Sequence, residues 1–109
     1  MGTIKSSREI DQIFRGAKRA AHPLLIVLAA QTPEGRGHSG RVAFIAGKKL
    51  GGAVLRNRCR RVLREAVRRG HGPWSEWDVV VIAREGTPTA TTEQLDAALN
   101  RVLTRAGVL

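Results

Sequence analysis

Apolar residues recur along this chain at two spacings, and the switches between them mark its elements. Ser6-Ser7-Arg8-Glu9 has the form of a capping box, with Ser6 at the cap and Glu9 three residues on. Ile10, Ile13, Phe14 and Ala17 follow at helical spacing, which predicts a first helix ending near Gly16. Pro23 excludes a helix, and the continuous apolar run 24–28 reads as a buried strand. A short strand over residues 17–21 precedes it on a fainter pattern. Residues 32–37, with Pro33, Gly35 and Gly37, read as a loop. Residues 41–46 alternate loosely and predict another strand.

Residues 47–52 form a glycine-rich basic turn, and residues 54–69 carry the strongest helical pattern in the chain. Gly70, Gly72 and Pro73 end that helix. The β-branched run 78–83 predicts a second buried strand. Thr91 or Thr92 caps a last helix, with Gln94 available to complete a box. Leu95, Ala98, Leu99, Val102 and Leu103 give that helix one apolar face, and Gly107 suits its end.

The order is helix, two or three strands, helix, strand, helix, which predicts an α+β domain with one mixed sheet and helices packed on it. With 109 residues, the chain reads as a single domain over 1–109. No apolar run approaches the roughly 20 residues of a membrane helix. No charged stretch followed by an apolar core marks a secretory signal. Met1-Gly2 with Ser6 meets only the loose, chance-prone myristoylation pattern. The single cysteine, Cys59, excludes an internal disulfide and any CxxC site. The expected location is the cytoplasm, with no membrane partner.

Charge changes this picture of an ordinary small domain. Lys and Arg number 19 against 9 Asp and Glu, a formal +10. Residues 1–35 carry +2, residues 36–70 carry +10 and residues 71–109 carry −2. The entire excess thus belongs to the middle third, the pattern of a site for a polyanion rather than of general stickiness. Fifteen of the 19 are arginine, whose planar fork grips phosphate in two places.

The helix over 54–69 concentrates that excess. At about 100° per residue, Leu55, Cys59, Val62, Leu63, Ala66 and Val67 share one arc. Asn57, Arg58, Arg61, Arg64 and Arg68 share the opposite one, with Arg56 and Arg60 near one boundary and Arg69 at the other. Seven arginines against Glu65 alone repel one another at helical spacing, which is costly without an anionic partner. A merely solvated face would mix signs. Cys59 falls on the packed arc and reads as a small core residue.

Other chemistries are less well served. Gly47-Lys48-Lys49 is no P-loop, since Lys49 stands where Ser or Thr is needed and Val42 where the first Gly is needed. His22, His38 and His71 are dispersed, and no carboxylate cluster or nucleophile–base spacing suggests catalysis or a metal site. Only Phe14, Phe44, Trp74 and Trp77 are aromatic, and nothing matches the strand motifs that stack bases. The two tryptophans read as packing for the loop at the end of the sheet. Binding is therefore expected to rest on phosphate contact more than on base reading.

The run Gly47-Lys48-Lys49-Leu50-Gly51-Gly52-Ala53-Val54-Leu55-Arg56-Asn57-Arg58-Cys59-Arg60-Arg61-Val62-Leu63-Arg64-Glu65 strongly resembles the signature of the bacterial ribonuclease P protein subunits. Arg56-Asn57-Arg58 is its core. The match extends forward to residues 78–84 and back to residues 8–14, so it covers nearly the whole chain. The resemblance implies an αβββαβα fold with a four-stranded sheet and a left-handed βαβ crossover, against the usual right-handed rule. It implies an accessory subunit of an endoribonuclease, in which a catalytic RNA carries the chemistry and holds Mg²⁺. The reaction removes the 5′ leader of precursor tRNA. The implied partners are that RNA and precursor tRNA, with no obligatory protein partner.

By the same resemblance Arg56, Asn57, Arg58, Arg60, Arg61, Arg64 and Arg68 belong to the RNA-facing helix, flanked by Lys48 and Lys49. A cleft between the first helix and the sheet holds the leader, and Phe14 matches an aromatic position there, although its spacing from Ile10 suits a core residue equally. Ile10 and Leu28 occupy cleft positions where the family often has aromatics, and Gly47 replaces a usual serine. Two other readings share the charge and size. A ribosomal protein would not require the extended motif. A DNA-binding module would want short polar readers on the helix, where only Asn57 qualifies.

Overall fold

The computed structural model describes residues 16–32 and 40–109. The helix expected from Ser6, with Ile10 and Phe14, lies outside these residues, as does most of the loop expected at 32–37. Four strands and two helices follow in the expected order. They are β1 (Lys18–His22), β2 (Leu25–Gln31), β3 (Arg41–Ile45), α1 (Ala53–Arg69), β4 (Trp77–Ala83) and α2 (Thr92–Arg105), with 3₁₀ turns at Lys48–Leu50 and Thr87–Thr89. They form one sheet in the order β1-β2-β4-β3. β1 pairs antiparallel with β2, β2 antiparallel with β4, and β3 parallel with β4. α1 is the connection between those two parallel neighbours.

β1 and β2 are joined by Pro23 and Leu24, because His22 pairs with Leu25. Buried Thr87 ties this turn to the far end of β4: its hydroxyl donates to Leu24 O at 2.6 Å and accepts from Arg84 N at 2.9 Å. At the opposite end, Arg41 and Asp78 are register partners, and their side chains meet at 3.3 Å with the Asp78 carboxylate buried.

Strand alternation sorts the apolar residues onto two faces. Leu25, Val27, Ala29, Val42, Val79 and Val81 form the main core with Cys59, Leu63, Ala66 and Val67 of α1 and Leu95, Ala98, Leu99, Val102 and Leu103 of α2. The other face gathers Leu28, Ala43 and Val80, flanked by Ala30, Ile45 and Ile82. The run 24–28 is continuously apolar because β2, an interior strand, meets apolar neighbours on both faces.

The helix ends explain two sequence signals. Thr91 caps α2, accepting from Gln94 N at 3.1 Å while Gln94 Oε1 accepts from Thr91 N at 2.9 Å. Gly107 adopts φ 88° in a Schellman turn in which Val108 N reaches Leu103 O at 3.0 Å. α1 ends in the same motif, with Gly72 N on Val67 O at 2.9 Å, but the left-handed residue is His71 at φ 66° and not one of the flanking glycines. Trp74 is buried and its indole Nε1 donates to Gly70 O at 3.1 Å, closing the helix end as the packing role expected of it requires. Gly40 is needed opposite: a Cβ there would fall 1.8 Å from the Trp74 carbonyl oxygen.

Candidate nucleic-acid interface

α1 turns its buried arc, Cys59, Leu63, Ala66 and Val67, onto the sheet. Its opposite side exposes Asn57, Arg58, Arg61, Arg64 and Arg68, while Arg56 and Arg60 are half-buried at the edge. Lys48 and Lys49 are exposed on the 3₁₀ turn that leads into the helix through Gly51 and Gly52. The nine RNA-site residues expected from the sequence are thus brought onto one helix and the turn before it.

Local geometry orders part of this face. Asn57 Oδ1 accepts from Arg60 Nη2, one turn on. The Arg64 guanidinium lies 5.4 Å from the Phe44 ring centroid, a cation–π arrangement that anchors it over edge strand β3. Arg56 Nε is buried with no hydrogen-bond partner among the described residues. Burial pushes the Cys59 thiol above its ordinary pKa, against the opposing pull of Arg58 and Arg60. It stays protonated and inert beneath the arginines.

Arg69 is different. Its guanidinium grips Asp96 of α2 through contacts of 2.9, 3.0 and 3.1 Å. The hydrogen bond to Asp96 raises its pKa above the ordinary arginine value. It is a bridge between helices, which explains its boundary position on the helical wheel. Phe44 and Asp96 are not legible from sequence as partners of this helix. Each lies at least 20 residues from the arginine it meets, and nothing local links them.

Leu28 is buried on the other side of the sheet, against Val80 and Ala43, away from the arginine face. Of the three expected cleft residues it is the one described; Ile10 and Phe14 are not among the described residues. Among the described residues no three His, Cys, Asp or Glu side chains converge where a cation could be held. Asp78 and Asp96, the two aspartates among them, are engaged by Arg41 and Arg69. No helix among these residues is long and apolar enough to cross a membrane.

The fold and site together define a small α+β sheet domain that displays one carboxylate-poor arginine face. A family model described as Ribonuclease P matches residues 2–107. The ribonuclease P protein component of Herpetosiphon aurantiacus is 36% identical over 104 residues, covering 94% of this chain and 82% of that protein. That of Gluconacetobacter diazotrophicus is 38% identical over 109 residues, covering 96% and 90%. The RNase P protein of Staphylococcus aureus superposes with a TM-score of 0.83 at 29% identity, over 99% of this chain and 97% of that one. That of Thermotoga maritima gives 0.79 at 25% identity, over 96% and 97%. The chain belongs to the ribonuclease P protein family, whose general role is in tRNA processing as part of an endoribonuclease complex.

Proposed function

We propose that this chain is the non-catalytic protein subunit of a ribonuclease P. It binds the catalytic RNA through α1 and its flanking lysines, and it holds the 5′ leader of precursor tRNA on the other side of the sheet. The observation that carries the first part is the arginine face itself: Arg58, Arg61, Arg64 and Arg68 are exposed on one side of α1 with Glu65 as that helix's single acid. Phosphates of a folded RNA relieve that repulsion and release counterions, so affinity falls steeply with salt. The donor set supports leaving Mg²⁺ to the RNA and substrate, because the described carboxylates are scattered or already paired. When bound there, the ions would supply activation of water for phosphodiester hydrolysis. This chain's part is to position RNA.

The test is reconstitution with the cognate catalytic RNA at low Mg²⁺. The protein should raise cleavage of precursor tRNA well above that by RNA alone, and the protein by itself should not cleave. Turnover by RNA-free protein that survives nuclease treatment would overturn the reading.

The second part rests on Ile10, Phe14 and Leu28 as leader-cleft residues. The apolar cluster around Leu28 supports an apolar floor for such a cleft. If Phe14 stacks on the leader, Phe14→Ala weakens precursor tRNA binding more than mature tRNA binding, toward the low end of about 1–3 kcal/mol per stacked base. Equal losses for both, with a lower melting temperature, would put Phe14 in the core.

A further inference from the structure

A second cationic surface lies on α2, in the third of the chain whose net charge is negative. An open groove of about 860 Å³ runs between the β1–β2 turn and α2, lined by His22, Gln94, Asn100, Arg101, Thr104 and Arg105 among others, with no carboxylate among the described residues that line it. Glu93 and Asp96 of the same helix are not among the groove's described lining, and Asp96 is held by Arg69. The linear charge count therefore hides a basic groove that the fold separates out.

The groove's cations and ring and amide donors are offset only by neutral acceptors. The His22 ring accepts from Leu24 N at Nδ1, 3.0 Å, which leaves Nε2 as the remaining ring nitrogen and, in the neutral ring, the N–H donor. Gln94 Oε1 is taken by the capping box, which leaves its amide NH₂. The Thr104 hydroxyl donates to Asn100 O at 2.8 Å. Arg105 Nη1 is fixed on Ala21 O at 3.2 Å, and Arg84 Nη1 reaches His22 O at 3.4 Å from the turn side. Arg101 is exposed and has no hydrogen bond or ion pair among the described residues. It lies four residues before Arg105, so two like charges adjoin on one helix face. Cations in the last turn favour a helix C-terminus, which accounts for Arg105, but Arg101 stands a turn earlier.

We infer that this groove is a second RNA-contact surface that takes a phosphodiester segment of the catalytic RNA. The inference rests on the function proposed above. Its donors and cations match phosphate oxygens, and with no aromatic side chain among the described residues that line it the contact is to backbone and not to stacked bases. The groove opens on the helix-covered side of the sheet, whereas the leader is assigned to the Leu28 side, so the larger RNA is the occupant.

Binding of the full chain to the cognate catalytic RNA across a salt series tests this, with Arg101→Gln and Arg61→Gln compared against the unaltered protein. Both variants should bind several-fold more weakly, and each should lower the salt slope by about 1. Arg101→Gln should melt with the unaltered protein because its side chain is exposed and unpaired. Weaker binding by Arg61→Gln with an unchanged affinity and slope for Arg101→Gln would overturn the groove and leave the proposed function standing. No preference of the unaltered protein for the catalytic RNA over an unrelated RNA of equal length would overturn both. Because Cys59 is fully buried, an aryl azide on Ala97→Cys labels the groove selectively. Crosslinks should fall on the catalytic RNA, and crosslinks confined to precursor tRNA would overturn the choice of occupant.

Discussion

α1 and α2 lie side by side on one face of the sheet, each burying an aliphatic stripe, yet their ends and outer faces differ. α2 opens on a complete capping box and carries Glu93 in its first turn. Both features satisfy or complement the free N–H groups there. α1 opens on Gly52, with no side-chain cap and no acid in its first turn, and goes on to seven arginines. It ends with His71 in a conformation that glycine adopts at less cost. Inner faces built alike and outer faces built differently separate what holds the fold from what meets a partner. On the function proposed above, the local helix rules are broken on the face that meets RNA.

The largest expected effect tests whether the inner faces really are equivalent. Leu63 of α1 and Leu103 of α2 are both essentially sealed from solvent in the same core. Leu63→Ala and Leu103→Ala should each cost about 2–5 kcal/mol of stability, the range for truncating a buried leucine. Chemical denaturation measures both. A loss under about 1 kcal/mol for Leu63→Ala alone, well below that range, would mean that α1 is a loosely docked RNA-binding element and not half of the core.

The outer faces should separate the helices in the opposite sense. Arg58→Ala and Arg61→Ala remove exposed side chains from α1, so each should leave stability within about 0.5 kcal/mol. Each should lower the salt slope of RNA binding by about 0.7–0.9, the share of a single neutralised phosphate. Salt-dependent binding with parallel thermal melts checks this. A large fall in melting temperature with an unchanged slope would place these arginines on the packed face.

The same contrast decides what could be read from the sequence. α1, α2, β2, β4 and the Thr91–Gln94 box follow from spacing alone, because each is specified by residues within a few positions of one another. β1 carries a faint signal since only Ala20 of its five residues is fully buried, so the alternation that marks a strand is nearly absent. The sorting of Arg58, Arg61, Arg64 and Arg68 outward is legible for the same local reason. The Arg69–Asp96 bridge, the Phe44 platform under Arg64 and the burial of Leu28 against Val80 join distant positions, and strand order has to be known first. His71 shows a subtler limit. Gly70 and Gly72 flank it, and nothing in composition says that the left-handed residue falls between them.

Smaller effects are expected at the α2 cap. Thr91→Ala removes the hydroxyl that accepts from Gln94 N and should cost about 1 kcal/mol. RNA affinity through α1 should not change, because the cap lies on the other helix. Denaturant midpoints and RNA binding, measured on the same preparation, distinguish a stability change from a binding change. Weaker binding at unchanged stability would mean that the cap acts on RNA through Gln94, which lines the α2 groove.

The smallest effect comes from giving α1 the cap that α2 already has. Gly52 has φ −73° and ψ 177°, the extended geometry of a capping residue, and a Cβ there would meet nothing within 4 Å. Ser at this position can direct its hydroxyl oxygen to a first-turn N–H of α1, as Thr91 does in α2. Ser exceeds Gly at a helix N-cap by only a few tenths of a kcal/mol, so Gly52→Ser should raise the denaturant midpoint slightly without changing the slope of the transition. An unchanged or lower midpoint would show that the start of α1 is not limited by its missing cap. The repulsion among its arginines would then be the dominant local cost, and the same variant measured with RNA bound should lose whatever difference remained.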